Sequence, residues 1–332
     1  MKTILVTGGA GYIGSHASLF LSQQGYKVIV LDRFVYNQIF NHKWAEVIRS
    51  DIADTDILKS IFLNNNIDAV MHFAASINVG DSVNKPLEYY ENNVSKTVSL
   101  LQLMLKYNVR KFIFSSSCAV YGNVETDLIT EDLPLKPISP YGKTKFMVEQ
   151  ILEDLSNKIN FVSLRYFNAA GALPEFGLGE IHKPETHLIP LLLTSIKNQI
   201  PFTIFGNDYD TKDGTCIRDF LHVWDIASAH YLALQYLQNG NPSNYFNLGT
   251  GQGCSVKQII DEAEVLLKTK VNVTVGPRRQ GDPAILVADP SKANNYLKWK
   301  PQYSDIAFIL KSANSFDNSQ RIITNLPPID YL

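Results

Sequence analysis

A tyrosine and a lysine lie four residues apart in the stretch SPYGKTK, residues 139–145. Ser139 can cap a helix and Pro140 suits its first turn, so we expect a helix to begin here. A spacing of four places Tyr141 and Lys145 on one face of that helix. The spacing is also typical of an ordinary helix surface, so the rest of the chain must decide between a chemical and a structural role.

The chemistry that this pair could perform is proton abstraction by a phenolate. A free tyrosine has a pKa near 10, so only about one in a thousand is ionised at neutral pH. Lowering that pKa by three to four units takes about 4 to 5 kcal/mol of selective stabilisation. A neighbouring lysine and a cationic nicotinamide ring could supply it together. The pair therefore predicts removal of a substrate hydroxyl proton coupled to hydride transfer, if the chain binds such a cofactor.

A glycine-rich turn follows the first apolar run in ILVTGGAGYIGSH. The spacing of Gly8, Gly11 and Gly14 lets the backbone approach a pyrophosphate at a helix N-terminus, although a glycine turn without a ligand is the alternative. Asp32 ends the second apolar run, where a carboxylate accepts ribose hydroxyls and repels a 2′-phosphate. NAD is therefore favoured over NADP. Arg33 is the reservation, because a guanidinium could accommodate that phosphate.

Further polar and small residues stand where other apolar runs end. Asp51 could meet the adenine amino group, and Ala74 and Ala75 would let the dinucleotide pass closely. The run FIFSSS ends in a serine cluster, from which we select Ser117 to orient a substrate hydroxyl beside the tyrosine. Each of these features could equally be a tight turn or a helix cap.

The elements that must position these residues follow an alternating pattern. Five short apolar runs, KTILVT, KVIVL, DAVMHFA, RKFIFSSS and NFVSLRYF, are separated by amphipathic stretches at residues 13–24, 55–64 and 89–107. This pattern predicts an α/β fold with a doubly wound parallel (Rossmann-type) sheet over residues 1–169. We expect a smaller C-terminal α/β substrate domain over residues 170–332. Residues 217–238 read as strand then helix and are a candidate for returning to the first sheet.

The composition of the 332 residues limits the classes of function. The chain is 45% hydrophobic and 19% charged with a formal net charge of −2, so bulk electrostatics gives no support for nucleic-acid binding. No run is long enough for a membrane span, and the apolar run before the first glycines is too short for a signal peptide. Three cysteines, Cys118, Cys216 and Cys254, are widely separated. We therefore expect a cytoplasmic protein and no metal site.

These motifs together carry a family resemblance. The glycine turn, the strand-end serine and the Tyr-Lys pair, in this order, resemble the extended short-chain dehydrogenase/reductase family. Further segments, including KPLEYYENNV, LRYFNAAGA, FGNDYDTKDGTCIRDFLHV, NLGTG and PRRQGDPA, are similar to the UDP-glucose 4-epimerases within it over nearly the whole chain. The resemblance implies interconversion of UDP-glucose and UDP-galactose through a transient 4-keto sugar, with a tightly bound NAD that is not consumed.

The resemblance also implies roles for individual residues. Arg218 and Arg279 would meet the diphosphate, although a surface ion pair is the alternative for each; Asp282 would accept from the ribose and Phe205 would lie against uracil. The implied catalytic residues are Tyr141, Lys145 and Ser117. The implied cofactor residues are Gly8, Gly11, Tyr12, Ile13, Gly14, Asp32, Asp51, Ile52, Phe73, Ala74, Ala75, Asn92, Ser115, Tyr141, Lys145 and Phe167. The implied substrate residues are Ser117, Tyr141, Asn168, His187, Leu188, Thr203, Phe205, Arg218, Arg279, Asp282 and Leu286.

Leu286 bears on substrate breadth. It falls where relatives hold a residue beside the 2-position of the sugar, and it lacks the ring and hydroxyl of the tyrosine found in enzymes confined to unacetylated sugars. This implies activity also on UDP-GlcNAc and UDP-GalNAc, the alternative being that Leu286 is merely core. Departures from the family pattern are the short segment after Asp32, which puts its adenosine-side contacts in question, and Ile77 and Phe220 in place of lysine and tyrosine.

Two rival functions remain open from the sequence. A nucleotide-sugar 4,6-dehydratase or decarboxylase has the same fold, but a dehydratase typically has Asp-Glu after the strand-end hydroxyl, where this chain has Cys118 and Ala119. A non-catalytic NAD sensor or scaffold would be expected to have lost the tyrosine or the lysine. The resemblance also implies a homodimer, paired through helices near residues 89–107 and 139–156.

Overall fold

The protein was analysed as a computed structural model, which describes residues 1–35, 44–124, 126–279 and 282–324, with side chains up to residue 317. Residues 36–43, in the short segment after Asp32, lie outside these ranges, so the expected effect of that segment on the adenosine side is not tested.

The described residues contain fourteen strands and eleven α-helices, which loops and short helical turns connect. The strands are β1 (Thr3–Thr7), β2 (Lys27–Asp32), β3 (Glu46–Arg49), β4 (Ile67–His72), β5 (Lys111–Ser115), β6 (Asn160–Tyr166), β7 (Asn168–Ala170), β8 (Phe202–Phe205), β9 (Ile217–Arg218), β10 (Phe220–His222), β11 (Asn244–Leu248), β12 (Cys254–Ser255), β13 (Val273–Gly276) and β14 (Ile285–Leu286). The helices are α1 (Tyr12–Gln23), α2 (Thr55–Asn64), α3 (Val79–Asn84), α4 (Pro86–Tyr90), α5 (Lys96–Lys106), α6 (Pro140–Asp154), α7 (Leu188–Asn198), α8 (Val223–Gln238), α9 (Val256–Leu267), α10 (Ser291–Leu297) and α11 (Ile306–Thr324).

The central sheet has seven parallel strands in the order β11-β6-β5-β4-β1-β2-β3. Its inner strands are apolar on both faces, and all five residues of β1 are buried. One hydrophobic cluster lies on each side of the sheet, with Val6 and Val30 in one and Leu5 and Leu31 in the other. The predicted doubly wound α/β fold is confirmed. The strand order reverses between β1 and β4, and such a reversal opens a ligand crevice at the carboxyl ends of the strands.

The second half of the chain contributes to both parts of the molecule. Three small sheets, β10-β7, β12-β9-β14 and β13-β8, lie outside the central sheet. A separate hydrophobic cluster that includes Leu192, Ile259 and Leu310 lies among α7, α9 and α11. These elements lie largely within residues 170–332, over which the sequence analysis expects the smaller α/β substrate domain.

Residues beyond the predicted boundary return to the large sheet. Helix α8 packs along α1, with the rings of Phe20 and Trp224 4.8 Å apart. Strand β11 then pairs with β6 from Asn244 to Leu248, which makes it the edge strand of the central sheet. The return therefore extends past the predicted residues 217–238. The division into domains at residues 169 and 170 stays a prediction. Strand β11 also lies beyond that boundary and belongs to the large sheet.

Candidate active site

The glycine turn brings the end of β1 close to the end of β4. Gly8 has a φ of +71°, and a Cβ there would lie 2.5 Å from the backbone nitrogen of Ala74. A Cβ on Gly14 would lie 2.1 Å from the carbonyl oxygen of Gly8. Gly11 precedes α1 and has no side chain with which to cap its amides. Backbone amides at a helix N-terminus, kept clear of side chains, suit the pyrophosphate of a dinucleotide.

A groove opens beside this turn and gathers many of the predicted cofactor residues. The predicted residues that line it are Gly8, Gly11, Asp32, Asp51, Ile52, Phe73, Ala74, Ala75 and Asn92. Asp32 accepts hydrogen bonds from the backbone amides of Ala10 at 3.0 Å and Phe34 at 2.7 Å, which fix its carboxylate at the end of β2. The groove therefore presents an acidic side chain where the sequence predicts a ribose.

Asp51 has charged partners of its own. Its carboxylate lies 2.8 Å from the Lys96 ammonium and 3.2 Å from the Arg33 guanidinium. Burial opposes ionisation, but the hydrogen bond from Lys96 and the nearby charges hold the pKa of Asp51 below its usual value. Because Arg33 is paired with Asp51, it is less available to a 2′-phosphate, which strengthens the preference for NAD.

The predicted reacting residues meet at the adjoining end of β5. Ser139 accepts a hydrogen bond from the amide of Gly142 at 3.1 Å, so α6 begins as predicted. A Cβ on Gly142 would lie 2.5 Å from the carbonyl oxygen of Ala119, which shows how closely the helix start packs on the turn after β5. This packing brings the Tyr141 hydroxyl near Ser117, whose side chain favours the ionised form of the phenol.

Lys145 is held beneath the tyrosine. Its ammonium donates to the carbonyl oxygen of Ser115 at 2.7 Å, and it lies 5.0 Å from the ring centre of Phe114 and 5.9 Å from that of Tyr141. Only 4% of Lys145 and 9% of Tyr141 are exposed, so both belong to the interior. Lys145 is therefore not part of a solvated helix surface, and its ammonium is held by the backbone of β5.

Burial dominates the ionisation of this pair. It raises the pKa of Tyr141 to about 12, against the effect of the Ser117 side chain, which lowers it. It lowers the pKa of Lys145 to about 7, so the lysine is only partly charged at neutral pH. The lysine alone therefore does not produce the lowered tyrosine pKa that the sequence predicts. That expectation now depends on the cationic ring of a bound cofactor.

A buried ion pair that the sequence analysis missed supports α6 from below. Glu149 pairs with Arg165 through two hydrogen bonds of 2.7 and 3.0 Å, and it accepts from Ser116 and Ser163 at 2.7 Å each. These residues tie α6 to the ends of β5 and β6. The spacing of Tyr141, Lys145 and Glu149 in steps of four was the available signal.

A second missed residue is Asn93, in a single turn of π-helix at Glu91–Ser95. Asn93 accepts from the amide of Ser76 at 2.8 Å and donates to Thr144 at 3.1 Å. It thereby joins the turn after β4 to the helix that carries Tyr141. The predicted residue Asn92 is its neighbour and lines the groove.

Four other predicted cofactor residues, Tyr12, Ile13, Ser115 and Phe167, do not line the groove and make contacts elsewhere. Tyr12 donates to the carbonyl oxygen of Gly171 at 2.7 Å, and Ile13 packs against the core beneath the sheet. The Ser115 hydroxyl shares a hydrogen bond with that of Tyr166. Phe167 is buried in a cluster with Cys118, close to the reacting residues.

The predicted substrate residues form a looser group on the small sheets. Arg218 lies 2.5 Å from Asp282, and Arg279 lies over the ring of Phe205 at 4.3 Å. Both predicted arginines thus contact another predicted substrate residue. Thr203 shares a 3.0 Å hydrogen bond with Thr274 on the neighbouring strand.

Leu286 connects this group with the reacting residues. It lies opposite Arg218 in the register of β14 with β9, and it packs against the cluster that contains Cys118 and Phe167. Asn168 donates to the carbonyl oxygen of Asp219 at 2.9 Å. The structure therefore places Leu286 between Arg218 and the cluster that follows β5.

His187 and Leu188 lie at the start of α7. His187 precedes the helix with its side chain 48% exposed, and Leu188 is its first residue. His187 also contacts Glu180, a residue that the sequence analysis did not select.

No helix within the described ranges is both long and apolar enough to cross a membrane.

Comparisons with known proteins agree with this geometry. A family model described as "NAD dependent epimerase/dehydratase family" matches residues 4–249. A curated protein from Lactobacillus helveticus named UDP-glucose 4-epimerase is 48% identical over 315 residues, covering 93% of this chain and 95% of its own. The solved structure of a UDP-glucose 4-epimerase from Brucella ovis in complex with NAD has a TM-score of 0.91 and 41% identity, covering 95% of this chain and 98% of its own.

A third relative is the UDP-Glc/GlcNAc 4-epimerase of Campylobacter jejuni. Its structure has a TM-score of 0.83 and 41% identity, covering 97% of this chain and 100% of its own. Because the family model matches most of the chain and the relatives are similar over nearly their whole length, the chain belongs to the NAD dependent epimerase/dehydratase family.

Proposed function

We propose that the protein is an NAD-dependent isomerase, a UDP-hexose 4-epimerase that interconverts UDP-glucose and UDP-galactose. The observation that carries the proposal is that Ser117, Tyr141 and Lys145 are buried at the end of β5, next to the strand end that lines a groove with nine predicted cofactor residues. The relatives named UDP-glucose 4-epimerase support the substrate, since the likeness to them extends through the small sheets where the sugar nucleotide would bind.

Each residue of the site has a separate role in the proposed reaction. NAD, when bound, supplies an acceptor and a donor for hydride. Tyr141 removes the proton from the 4-hydroxyl of the hexose and later returns it, while Ser117, which lies near the tyrosine hydroxyl, orients the 4-hydroxyl. Lys145, fixed by the Ser115 carbonyl and partly charged at neutral pH, places its ammonium form close to the developing phenolate.

The sugar nucleotide would be held by groups that currently bind each other. Arg218 can exchange Asp282 for a phosphate, and Phe205 can exchange the Arg279 guanidinium for uracil. A firm hold on the nucleotide leaves the hexose free to present either face to the reacting residues, which epimerisation at the 4-position requires.

The residue after Ser117 argues against a dehydratase. Cys118 is buried, and burial raises the pKa of its thiol to about 12, so it stays neutral at physiological pH. Ala119 has no ionisable group. The acid and base that a 4,6-elimination needs are therefore not supplied by these two positions.

The test is direct. Purified protein is incubated with UDP-galactose and no added NAD, and the sugar signals are followed by NMR, while a denatured sample is assayed for released NAD(H). We expect UDP-glucose to form and about one dinucleotide to be released per chain. Failure to convert UDP-galactose in protein that does contain NAD(H) would overturn the epimerase and favour the sensor or scaffold.

We also propose activity on the N-acetylated pair, UDP-GlcNAc and UDP-GalNAc. Leu286 is partly buried against the cluster that includes Cys118, so it lies near the reacting end of β5. A tyrosine there would fill space that a leucine leaves open. The name of the Campylobacter jejuni relative, UDP-Glc/GlcNAc 4-epimerase, is consistent with such breadth in this family.

Substitution of Leu286 tests this breadth. Leu286→Tyr is expected to lower kcat/KM for UDP-GalNAc by about 10- to 200-fold relative to UDP-galactose, because one added group in an apolar pocket shifts specificity by about 1 to 3 kcal/mol. Leu286→Met is the matched control and should leave the ratio of the two activities within about threefold. Equal loss on both substrates would show that Leu286 is only a packing residue.

Two further proposals concern the setting of the enzyme. Val83, Leu87 and Met147 are exposed apolar side chains on α3, α4 and α6, and these helices contact one another, so this face is suited to a homodimer. Sedimentation equilibrium of wild type and Leu87→Glu would test it, with a wild-type monomer as the contrary result.

The free thiols of the described cysteines favour a cytoplasmic location, which fractionation of the source cells would test.

A further inference from the structure

We infer that residues 180–187 form a binding site for one divalent transition-metal ion, with Zn²⁺ as the best fit. Four side chains converge there: Glu180, His182, Glu185 and His187. Each can offer one ligand atom, and these four atoms all lie within 4.8 Å of one another. The inference concerns the molecule's own side chains and does not depend on the proposed reaction.

The distances within the cluster are those of groups gathered around one point. The Nδ1 atom of His182 lies 3.3 Å from Glu180 and 3.6 Å from Glu185. The Nδ1 atom of His187 contacts the same Glu180 oxygen. Ligands of a tetrahedral zinc ion at about 2.0–2.2 Å lie roughly 3.3–3.6 Å apart, so a small movement of each side chain would admit the ion.

The set of donors selects the class of metal. Two imidazole nitrogens with two carboxylate oxygens suit zinc and similar first-row ions, whereas calcium and magnesium prefer oxygen ligands alone. The two imidazole rings of His182 and His187 lie 5.0 Å apart between centres and at 79° to each other. Rings in such an orientation approach one point from different directions, as a tetrahedral site requires.

Burial of the cluster is graded from one side to the other. The side chains of Glu180 and His182 are 7% and 10% exposed, while that of His187 is 48% exposed. An ion could therefore enter from the side of His187 and rest against the buried pair. A nearly buried carboxylate is stabilised by a positive charge beside it, and a divalent ion supplies one.

The backbone around the cluster is already fixed. Glu185 accepts hydrogen bonds from the amides of Thr186 at 2.7 Å and His187 at 2.8 Å, which fix the backbone between these two ligands of the cluster. On the other side, a Cβ at Gly179 would lie 2.3 Å from the ring of Phe316, so the segment packs closely on α11. Preformed geometry of this kind lowers the cost of gathering four ligands.

The place of the site in the chain suggests its role. Four protein ligands leave no open position for a substrate, which is typical of a structural metal site. His187 directly precedes α7, whose first residue is the predicted pocket residue Leu188. The ion would thus hold the segment that leads into the candidate substrate pocket.

The experiment uses the NAD-containing protein, dialysed against a chelator and then titrated with Zn²⁺ by calorimetry. We expect one ion per chain in the wild type, and weaker binding by about tenfold to a hundredfold or more in Glu180→Gln and in His182→Asn. Glu175→Gln, on an exposed acidic residue five positions away, is the matched control and should bind as wild type does. Equal affinity in wild type and His182→Asn would overturn the site.

A second measurement keeps the test sharp if a variant fails to fold. Co²⁺ added to the wild type should give the intense visible absorption of a four-coordinate ion, and one equivalent of Zn²⁺ should abolish it. A weak six-coordinate spectrum, or binding without one-to-one stoichiometry, would show adventitious surface binding and contradict the proposal. In that case the cluster is only a network of ionic hydrogen bonds.

Discussion

The two halves of the candidate site are built in opposite ways. At the end of β5, Tyr141 and Lys145 are almost fully buried, and the Lys145 ammonium donates a hydrogen bond to the backbone of the large sheet at Ser115. On the small sheets, Arg279 is exposed and Arg218 is paired with Asp282, a partner that is itself a predicted substrate residue. The half at the end of β5 is preformed before substrate binds. The half on the small sheets must exchange its internal contacts for contacts with the substrate.

The difference follows from what each half must do. Proton transfer needs groups placed to within a fraction of an ångström, and burial beneath a parallel sheet provides that rigidity. Recognition of a nucleotide diphosphate needs strong charge, and a charged side chain without a ligand must be solvated or paired with another. On the small sheets, the predicted substrate residues bind each other while no substrate is present: Arg218 pairs with Asp282, and Arg279 lies over the ring of Phe205.

Removing the charge of Glu149 should have the largest effect, because the rigid half depends on its buried pair with Arg165. Glu149→Gln is expected to lower the free energy of unfolding by about 3 to 5 kcal/mol, since Arg165 would stay buried without a counter-charge. Urea denaturation measures this. Asp154→Asn, on an exposed acid of the same helix, should change it by less than about 0.5 kcal/mol. A loss in Glu149→Gln no larger than in the control would mean that the rigid half does not rest on this pair.

The substitution Tyr141→Phe should have the next largest effect. It distinguishes the two halves of the site, because it should impair catalysis and leave nucleotide binding unchanged. We expect kcat to fall about a hundredfold or more while the Kd for UDP stays close to that of wild type, because only the acid-base hydroxyl is lost. Tyr296→Phe, at a 60% exposed position, is the control and should keep normal turnover. Near-normal activity of Tyr141→Phe would assign the base to another residue.

Lys145→Met should change how stability depends on pH. Lys145 has a pKa of about 7 in the folded protein and 10.5 as its ordinary value, so between these values the unfolded chain binds a proton that the folded chain does not. The free energy of unfolding of the wild type should then rise with pH, relative to Lys145→Met, by up to about 1.4 kcal/mol per pH unit.

Urea titrations at pH 7.5 and pH 9, with matched cofactor content, would measure this relative rise. Lys143→Met, at an exposed position of the same helix, should behave as wild type does. Parallel pH dependence of wild type and Lys145→Met would show that the lysine is not held in its neutral form by burial.

The smallest effect is expected in the half that exchanges partners. Arg279→Ala should raise KM for the UDP-sugar about tenfold with little change in kcat, because its proposed contact is with the nucleotide and not with the reacting carbon. The adjacent Arg278 donates to Asp208 at 2.7 Å, and Arg278→Ala is the control, with KM within about twofold of wild type. An unchanged KM in Arg279→Ala would place that arginine outside the pocket.

Local rules predicted the parts of the fold and site that short segments determine. The turn at Gly8, the strand end at Asp32 and the helix start at Ser139 each depend on a few consecutive residues, and each forms as predicted. The convergence of Tyr141 with Ser117 followed from a general property of parallel sheets, whose carboxyl ends share one edge.

The features that were missed depend on residues far apart in the chain. Arg165 and Glu149 form their ion pair only after β6 has packed against α6. The spacing of Glu149 from Lys145 places it on the same face of α6, but nothing in the sequence around it identifies Arg165 as its partner. The pKa of Tyr141 could not be predicted either, because burial from several elements outweighs the lysine beside it. The cluster that contains Glu180 and His182 has no cysteine in it, so the positions of the three cysteines give no indication of it.

The late position of β11 in the chain has a consequence for synthesis on the ribosome. Strand β6 ends at Tyr166, but its outer neighbour is completed only at Leu248. At about 5–20 residues per second, the edge of β6 emerges on the order of ten seconds before its partner. During that interval its unpaired backbone groups are open to any other strand, including that of a neighbouring nascent chain on the same messenger.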